Sequence, residues 1–306
     1  MHYSVMKKEC IENLNIKSDG IYVDGTIGLA GHSKEILSLI PNGHLYGFDQ
    51  DDYAIMSSDK TLKSVGNNYT LIRDNFKNMK KRLNELDVNG VDGILLDLGV
   101  SSPQIDEASR GFSFMKNATL DMRMDNRNTL TAKKIINEYS EKELLRIFYE
   151  YGEEKFSKPI VSKIMEYRNE KEIETTLELV KIIESSVPKK YFINNHPERQ
   201  IFQAIRIEVN SELNVLNDVL PDAINLLNKG GRLCVLTFHS LEDRIVKKTF
   251  KKYSEVNEVV KGLPVIPDEY KPLIKLINNK PITANEEEIK ENSRSKSAKL
   301  RVIERI

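Results

Sequence analysis

Short apolar segments, each followed by a stretch of helical periodicity, recur along the N-terminal part of the chain. Buried strands that alternate with helices predict an α/β fold with a doubly wound, mostly parallel sheet, because neighbouring parallel strands need a helical crossover between them. Several of these segments also end on an aspartate. The predicted strands are residues 21–24, 44–49, 69–72 and 93–97, and the predicted helices between them are residues 32–39, 54–65 and 79–86.

The alternation stops in the middle of the chain. From about residue 131 to residue 188 the sequence is highly charged and helix-periodic, with apolar stripes typical of amphipathic helices. We therefore predict a split core with an inserted helical domain. Its parts are core residues 1–107, the helical insertion 108–202 and core residues 203–306.

The α/β pattern resumes after the insertion. It predicts a helix over residues 213–227, a stop at Gly230 and Gly231, and a strand over residues 232–238. Apolar and charged side chains alternate over residues 299–305, which favours an antiparallel edge strand at the end of the chain.

The composition argues against several classes of protein. The 306 residues include 46 basic and 46 acidic ones, so any attraction to nucleic acid must come from local patches. Cys10 and Cys234 are the only cysteines, which argues against a disulfide framework and a cysteine-based zinc site. No window approaches the length of an uncharged membrane span. We expect a soluble protein of a reducing, cytoplasmic compartment.

Three aspartates at predicted strand ends indicate the kind of ligand. Ligands of doubly wound sheets lie beyond the carboxyl ends of the strands, where Asp24, Asp49 and Asp97 stand. A glycine-bearing turn after the first strand allows close backbone approach, and a carboxylate ending the second strand can accept both hydroxyls of a ribose. Singly, these residues are as consistent with structural roles as with ligand binding, the glycines in a tight turn and Asp24 and Asp49 as helix N-caps. Together they favour a ligand that contains a nucleoside.

Two cofactors satisfy this description, a nicotinamide dinucleotide and S-adenosylmethionine. A dinucleotide usually needs the spacing G-x-G-x-x-G to hold its pyrophosphate at a helix N-terminus. The loop from Asp24 to His32 instead places its glycines at Gly25, Gly28 and Gly31. Asp24 suits a cationic ligand better than a pyrophosphate. The spacing therefore favours S-adenosylmethionine and leaves the dinucleotide as the alternative.

A longer run of residues carries a resemblance to a known family. Residues 93–104, with the sequence GILLDLGVSSPQ, resemble the bacterial 16S ribosomal RNA cytosine N4-methyltransferase family. The resemblance covers nearly the whole chain in the family's order. Its other segments are residues 2–9, 24–33, 110–115, 120–125, 151–154, 202–207, 210–213, 238–244 and 295–301.

The resemblance implies a class I, Rossmann-like methyltransferase that transfers a methyl group from S-adenosylmethionine to the N4 amine of a decoding-region cytidine. It implies 16S ribosomal RNA, within the small ribosomal subunit, as the partner. A homodimer is compatible with the sequence, and we assign no metal site, since His32 lacks a second ligand at metal-binding spacing. The cofactor contacts that the resemblance implies are Ala30, Gly31, His32, Asp49, Phe76, Asp97 and Gln104.

The chemistry requires an acceptor for the hydrogens of a poorly nucleophilic amine. Asp97 is our catalytic candidate, because the segment after the fourth strand stands where many amino-methyltransferases carry an Asp/Asn-Pro-Pro-aromatic tetrapeptide. The alternative is that Asp97 only contacts the cofactor. His239 is a weaker candidate, since a histidine after a terminal strand more often has a packing role.

RNA contact must come from local surfaces. Two basic clusters and one aromatic segment are candidates, although the clusters are also consistent with solvated faces and the aromatics with anchoring of the insertion. The first cluster contains Arg244, Lys247, Lys248, Lys251 and Lys252, the second contains Arg294, Lys296, Lys299 and Arg301, and the segment contains Arg110, Phe112, Phe114, Arg123 and Arg127.

Two points stay open at this level. Ala30 stands where the family usually has glycine, so the loop is strained if that position requires a positive φ and unaffected if the glycine serves only close approach. The rival functions are a ribosome-assembly factor that keeps a vestigial cofactor pocket and a nicotinamide-dependent dehydrogenase.

Overall fold

The α/β part of the chain is built on one seven-stranded sheet. The computed structural model describes residues 4–256, 258–260 and 265–306, so His2 and Tyr3 of the resemblance lie outside the described residues. The sheet order is β3-β2-β1-β4-β5-β7-β6, with β1 to β5 parallel and β7 antiparallel to β5 and β6. The predicted doubly wound, mostly parallel sheet is confirmed. The strands are β1 Ile21–Asp24, β2 His44–Asp49, β3 Tyr69–Arg73, β4 Val91–Asp97, β5 Leu227–Thr237, β6 Ile274–Leu276 and β7 Lys299–Arg305.

Helices cover both faces of this sheet. Successive strand residues point to opposite faces, so that Leu96 joins one buried cluster and Leu95 the other. Among the described residues, no helix has the length and apolar content needed to cross a membrane. The helices are α1 Lys7–Leu14, α2 Gly31–Leu39, α3 Asp52–Leu62, α4 Met79–Asn84, α5 Ser102–Asp106, α6 Ala132–Glu138, α7 Glu141–Glu150, α8 Ser157–Glu170, α9 Thr176–Ser186, α10 Lys189–Asn195, α11 Pro197–Asn210, α12 Glu212–Leu226, α13 Ser240–Ser254 and α14 Glu286–Glu291.

The chain divides into two compact units. The α/β unit comprises Met1–Gly99 and Leu213–Ile306, and the helical unit comprises Val100–Glu212. The helical unit extends further at both ends than the predicted insertion 108–202. Helix α11 explains the difference at its C-terminal end, because its buried residues Ile205 and Val209 belong to the core of the helical unit.

The helical unit has a core of its own, and its helix starts carry local signals. Ser140 and Thr175 each cap a helix and are paired with a glutamate three residues later, which satisfies free amides in the first turn. At the end of α11, the buried Asn210 bonds to two backbone groups of an irregular segment. Its Nδ2 donates to the Met122 carbonyl at 2.8 Å, and its Oδ1 accepts from the Met124 amide at 2.8 Å.

Two local predictions were wrong. Strand β5 begins at Leu227 and runs through Gly230 and Gly231, because Gly230 adopts a positive φ of 80° within an irregular part of the strand pairing. Strand β7 is antiparallel as predicted but is not the edge, since β6 pairs with its outer side. Because β6 has only three residues, its sequence carries little periodicity.

Replacing Asn210 with alanine should destabilise the protein by about 2–4 kcal/mol, because two buried backbone groups lose their partners. Asn217→Ala is the matched control, since Asn217 is exposed and its Nδ2 donates only to the Leu213 carbonyl four residues earlier. We expect that change to cost below about 0.5 kcal/mol. Urea unfolding measures both, and equal losses in the two variants would contradict the assigned role.

Candidate active site

The loop between β1 and α2 is fastened to the strands on either side of β1. On one side, the Ile27 amide donates to the Phe48 carbonyl of β2 at 2.9 Å. On the other, the Gly25 amide donates to the Leu95 carbonyl at 2.9 Å and the Asp97 amide donates to Thr26 Oγ1 at 2.7 Å. The loop therefore lies at the carboxyl edge of three adjacent strands, where the sequence predicts the ligand.

Two residues of this loop adopt left-handed backbone conformations. Gly28 has φ 51°, and Ala30 has φ 63° and ψ 30° at the N-cap of α2. The position of Ala30 thus requires a positive φ, which answers the question that the sequence left open. An L-residue pays roughly 1–2 kcal/mol there. The methyl group is fully buried and packs in the cluster beneath the loop, which offsets part of that cost.

Asp24 and Asp49 are held by donors from the loop and its surroundings. Asp24 accepts from the Thr26 amide at 3.1 Å and from Ser33 Oγ at 2.7 Å. Asp49 accepts from the Gly28 amide at 3.0 Å and from the Asp51 amide at 2.9 Å. Burial nevertheless raises the pKa of each carboxyl to about 6, and the hydrogen bonds oppose that rise only in part.

Asp97 is held less completely than the other two. Its Oδ1 is buried and has no hydrogen-bond partner among the described residues. Burial raises the pKa of Asp97 well above its usual value, and the nearby carboxylates of Asp24 and Glu242 raise it further. A buried acceptor without a donor is costly in the free protein. The site therefore contains a buried acceptor that a bound hydrogen-bond donor or cation would stabilise.

His32 lies beside Asp97 without neutralising it. Its Nε2 is 3.0 Å from the Val5 carbonyl, so Nε2 donates and Nδ1 carries the lone pair. Nδ1 is 3.7 Å from Asp97 Oδ2. Burial lowers the pKa of His32 to about 4, so the imidazole is neutral at physiological pH. Its side chain anchors the N-terminal segment to the loop.

The structure brings six of the seven predicted cofactor residues into the α/β unit. Ala30, Gly31 and His32 lie in the loop and the first turn of α2, and Asp49 and Asp97 end β2 and β4. Phe76 is half-buried and lies against the loop, since a Cβ added at Gly25 would come within 3.3 Å of Phe76 Cβ.

Gln104 belongs to the helical unit. It is buried in the first turn of α5, where its Oε1 accepts from the Ser101 amide at 3.1 Å as part of a capping box. Its side chain is thus oriented by a local turn. The sequence reasoning from strand ends missed it, because it stands in a short helix beyond the strand.

Several residues that shape the site had no sequence signal that we used. Thr26 and Ser33 position Asp97 and Asp24 through their hydroxyl groups. The Val5 carbonyl is distant in sequence from His32, so only the folded chain brings them together. Glu242 accepts from the Phe238 amide at 2.8 Å, and its Oε1 lies 3.1 Å from His239 Nε2. His239 stands at the N-cap of α13, and its catalytic role stays a prediction.

The residues predicted to contact RNA divide into buried and exposed groups. Phe112 is buried in the core of the helical unit, and Arg110 donates to the Arg123 carbonyl at 3.0 Å, which favours the anchoring alternative for this segment. In the terminal cluster, Arg301 is buried and its Nε donates to Asp243 Oδ1 at 2.6 Å, so its assignment to an RNA surface is wrong. The sequence could not separate these arginines from exposed ones.

Comparison with known proteins decides between the two cofactors. The MraW methylase family matches residues 1–306. The chain belongs to the MraW methylase family. This methylase is accordingly an S-adenosylmethionine-dependent enzyme, and the dinucleotide alternative is wrong. The α/β unit fits such a cofactor, since its carboxylates and the unpartnered Asp97 Oδ1 suit a ligand with cationic groups and hydroxyl donors.

Individual relatives agree in length with this methylase. It is 51% identical over 306 residues to "Ribosomal RNA small subunit methyltransferase H" of Exiguobacterium sibiricum, covering 100% of this chain and 98% of the relative. Among solved structures, a candidate rRNA methylase from Clostridium thermocellum has 14% identity and a TM-score of 0.47, with 100% of both chains covered. An rRNA methylase from Streptococcus thermophilus has 13% identity and a TM-score of 0.40, with 98% and 93% covered.

The raised pKa of Asp49 predicts a pH-dependent stability of the free protein. The pKa of Asp49 is about 6 in the folded protein and 3.8 in the unfolded chain. Protonated Asp49 therefore makes its full contribution to the unfolding free energy below pH 3.8, and that contribution is lost as the pH rises through 6. The unfolding free energy of Asp49→Asn relative to wild type should therefore rise by on the order of 1 kcal/mol between about pH 5 and about pH 8. Asp59→Asn is the control, since a lowered pKa confines the titration of Asp59 to more acidic conditions. A constant Asp49→Asn difference would contradict the burial effect.

Ala30→Gly should change the unfolding free energy by less than about 1 kcal/mol, because relief of the left-handed strain is offset by the lost methyl packing and the greater freedom of the unfolded chain. Ala30→Val should lose at least about 2 kcal/mol, since a β-branched residue is poorly tolerated at this φ and the site is filled. Urea unfolding tests both. A gain well above about 1 kcal/mol in Ala30→Gly would show that the methyl group adds no packing.

Proposed function

We propose that this methylase transfers a methyl group to the exocyclic N4 amine of a decoding-region cytidine in 16S ribosomal RNA. The relative named as a small subunit ribosomal RNA methyltransferase supports the RNA class. The observation that carries the chemistry is the buried, unpartnered Oδ1 of Asp97 at the end of β4. A cytoplasmic location follows from a ribosomal substrate.

The reaction needs an acceptor at the attacking nitrogen. When bound, S-adenosylmethionine supplies a methyl group made electrophilic by its sulfonium. The lone pair of the cytosine amine is drawn into the ring, so nitrogen becomes nucleophilic only as a hydrogen is taken up by an acceptor. Asp97 Oδ1 can accept that hydrogen bond, and the raised pKa of Asp97 makes its carboxylate a stronger base than an exposed one. The amine proton passes to this carboxylate or through it to water.

The remaining site residues bind and orient the cofactor. In our proposal Asp49 accepts the ribose hydroxyls, Phe76 packs on the adenine, and Gly31 and His32 offer the free amides of the first turn of α2. Ala30 shapes the turn that presents those amides, and Asp97 combines a cofactor contact with the acceptor role. Gln104 is proposed as a further cofactor contact.

We assign RNA recognition to the helical unit and expect the target base to be held out of its stack, because the amine is inaccessible in a stacked base. An RNA-binding assembly factor with a vestigial pocket is the rival function. Tritiated methyl transfer to free 16S RNA and to small subunits lacking the modification, followed by nucleoside analysis, separates the two. The proposal requires N4-methylated cytidine as product. Another methylated nucleoside, or cofactor binding without transfer, would overturn it.

Asp97→Asn should lower kcat by about 100-fold or more, because the amide retains the shape and loses the base. Asp97→Ala should abolish turnover. Asp49→Asn serves as the comparison, since loss of a ribose acceptor should raise the dissociation constant for S-adenosylmethionine and leave kcat at saturating cofactor nearly unchanged. Calorimetry gives the binding constants. If Asp97→Asn behaves like Asp49→Asn, then Asp97 is only a cofactor contact.

A further inference from the structure

Helix α13 carries a row of cations on its outer side. Arg244, Lys247, Lys248, Lys251 and Lys252 are all exposed, and their spacing of three and four residues places them on one side of the helix. We call these five residues the basic face. The opposite side of α13 is buried through Glu242, Val246 and Phe250.

The lysines of the basic face are not neutralised by the acidic residues of their own helix. Glu242 is buried under the start of α13, and Asp243 turns away to Arg301 at 2.6 Å and Lys299 at 3.6 Å. Lys247 and Lys248 form no ion pair with any residue in the described part of the chain. Lys251 lies 3.9 Å from Glu255, and both side chains are more than half exposed, so solvent screens that pair.

Helix stability does not account for this arrangement. Lys251 and Lys252 stand in the last turn, where the helix dipole stabilises cations. Lys247 and Lys248 stand in the middle, where they gain little from the dipole. The pairs 244–248, 247–251 and 248–252 put like charges four residues apart, which destabilises a helix. In a chain with 46 basic and 46 acidic residues, such a local excess creates a positive field that attracts a polyanion.

The position of α13 ties the basic face to the active site. Strand β5 pairs with β4 so that Leu236 lies opposite Asp97, and the Leu98 amide donates to the Leu236 carbonyl at 3.0 Å. The chain leaves β5 after Thr237 and enters α13 at Ser240. The helix therefore starts at the edge that carries Asp97 and runs away from it for about 22 Å. A strand of RNA whose base reaches Asp97 can follow the helix with its phosphates.

We propose that the basic face of α13 binds the phosphate backbone of the RNA substrate. The inference rests on the proposed function, since it names the surface through which that substrate is held. Lysines act here as point charges without base recognition, so the contribution is to affinity and not to the choice of base. Its signature is a dependence on salt, because each neutralised phosphate releases counterions.

The test compares two variants with equal net charge. The first combines Lys247→Gln, Lys248→Gln and Lys251→Gln. The control combines Lys8→Gln, Lys60→Gln and Lys229→Gln, which are exposed and scattered over the α/β unit. Each set contains one lysine 3.9 Å from a glutamate four residues later, Lys251 with Glu255 and Lys8 with Glu12. Fluorescence anisotropy with labelled 16S RNA is measured over a salt series, together with KM for small subunits lacking the modification.

Loss of three phosphate contacts should reduce the slope of log affinity against log salt by roughly 2 and weaken binding roughly 100-fold at about 0.1 M salt. KM should rise in parallel while cofactor affinity and thermal stability stay at the control values. The proposed role of the basic face would be overturned if the triple variant binds RNA with the same affinity and salt slope as the control. It would also be overturned if the wild-type protein does not bind RNA. If wild type binds RNA with the expected salt dependence but transfers no methyl group, the proposed function fails and the binding surface stands.

Discussion

The active site depends on three aspartates, Asp24 buried and Asp49 and Asp97 partly buried, at one edge of a parallel sheet. Strands β2, β1 and β4 are neighbours, so their carboxyl ends bring Asp49, Asp24 and Asp97 together regardless of their distance in sequence. Loss of solvent contact raises the pKa of all three carboxyls, because it disfavours their charged forms. Loop amides and hydroxyl groups compensate Asp24 and Asp49 with two donors each, whereas Asp97 keeps one buried oxygen without a partner. A ligand that donates a hydrogen bond to this oxygen of Asp97 would therefore gain more binding free energy than one that contacts Asp24 or Asp49.

The loop conformation follows from the same constraint. To donate its Gly28 amide to Asp49 and its Gly25 amide to β4, the backbone must cross the end of β1 within a few residues, and it does so with left-handed conformations at Gly28 and Ala30. The buried methyl group of Ala30 offsets part of the free-energy cost of the left-handed conformation at that residue. The strain at this position is part of how the loop enters α2 at the carboxyl edge of the sheet.

The residues predicted to contact RNA show that residue type alone does not identify an RNA-binding surface. Residue type suggested base stacking for Phe112 and phosphate binding for Arg110. Instead, Phe112 is buried in the core of the helical unit and Arg110 donates to a carbonyl within that unit. Arg301 is buried and donates to Asp243. Arginine and aromatic side chains suit both purposes, because both combine large apolar surface with hydrogen-bonding or charged groups. Exposure distinguishes the two uses, which is why the lysines of α13 remain available.

The sequence by itself determined the doubly wound sheet, the helical insertion and the positions of Asp24, Asp49 and Asp97, because strand and helix periodicity and strand ends are local properties. The family resemblance added Phe76 and Gln104. Only the tertiary structure decided the φ of Ala30, the hold of Val5 on His32, the missing partner of Asp97 and the place of β7 inside the sheet. Each of these depends on contacts between segments far apart in the chain, which no local pattern encodes.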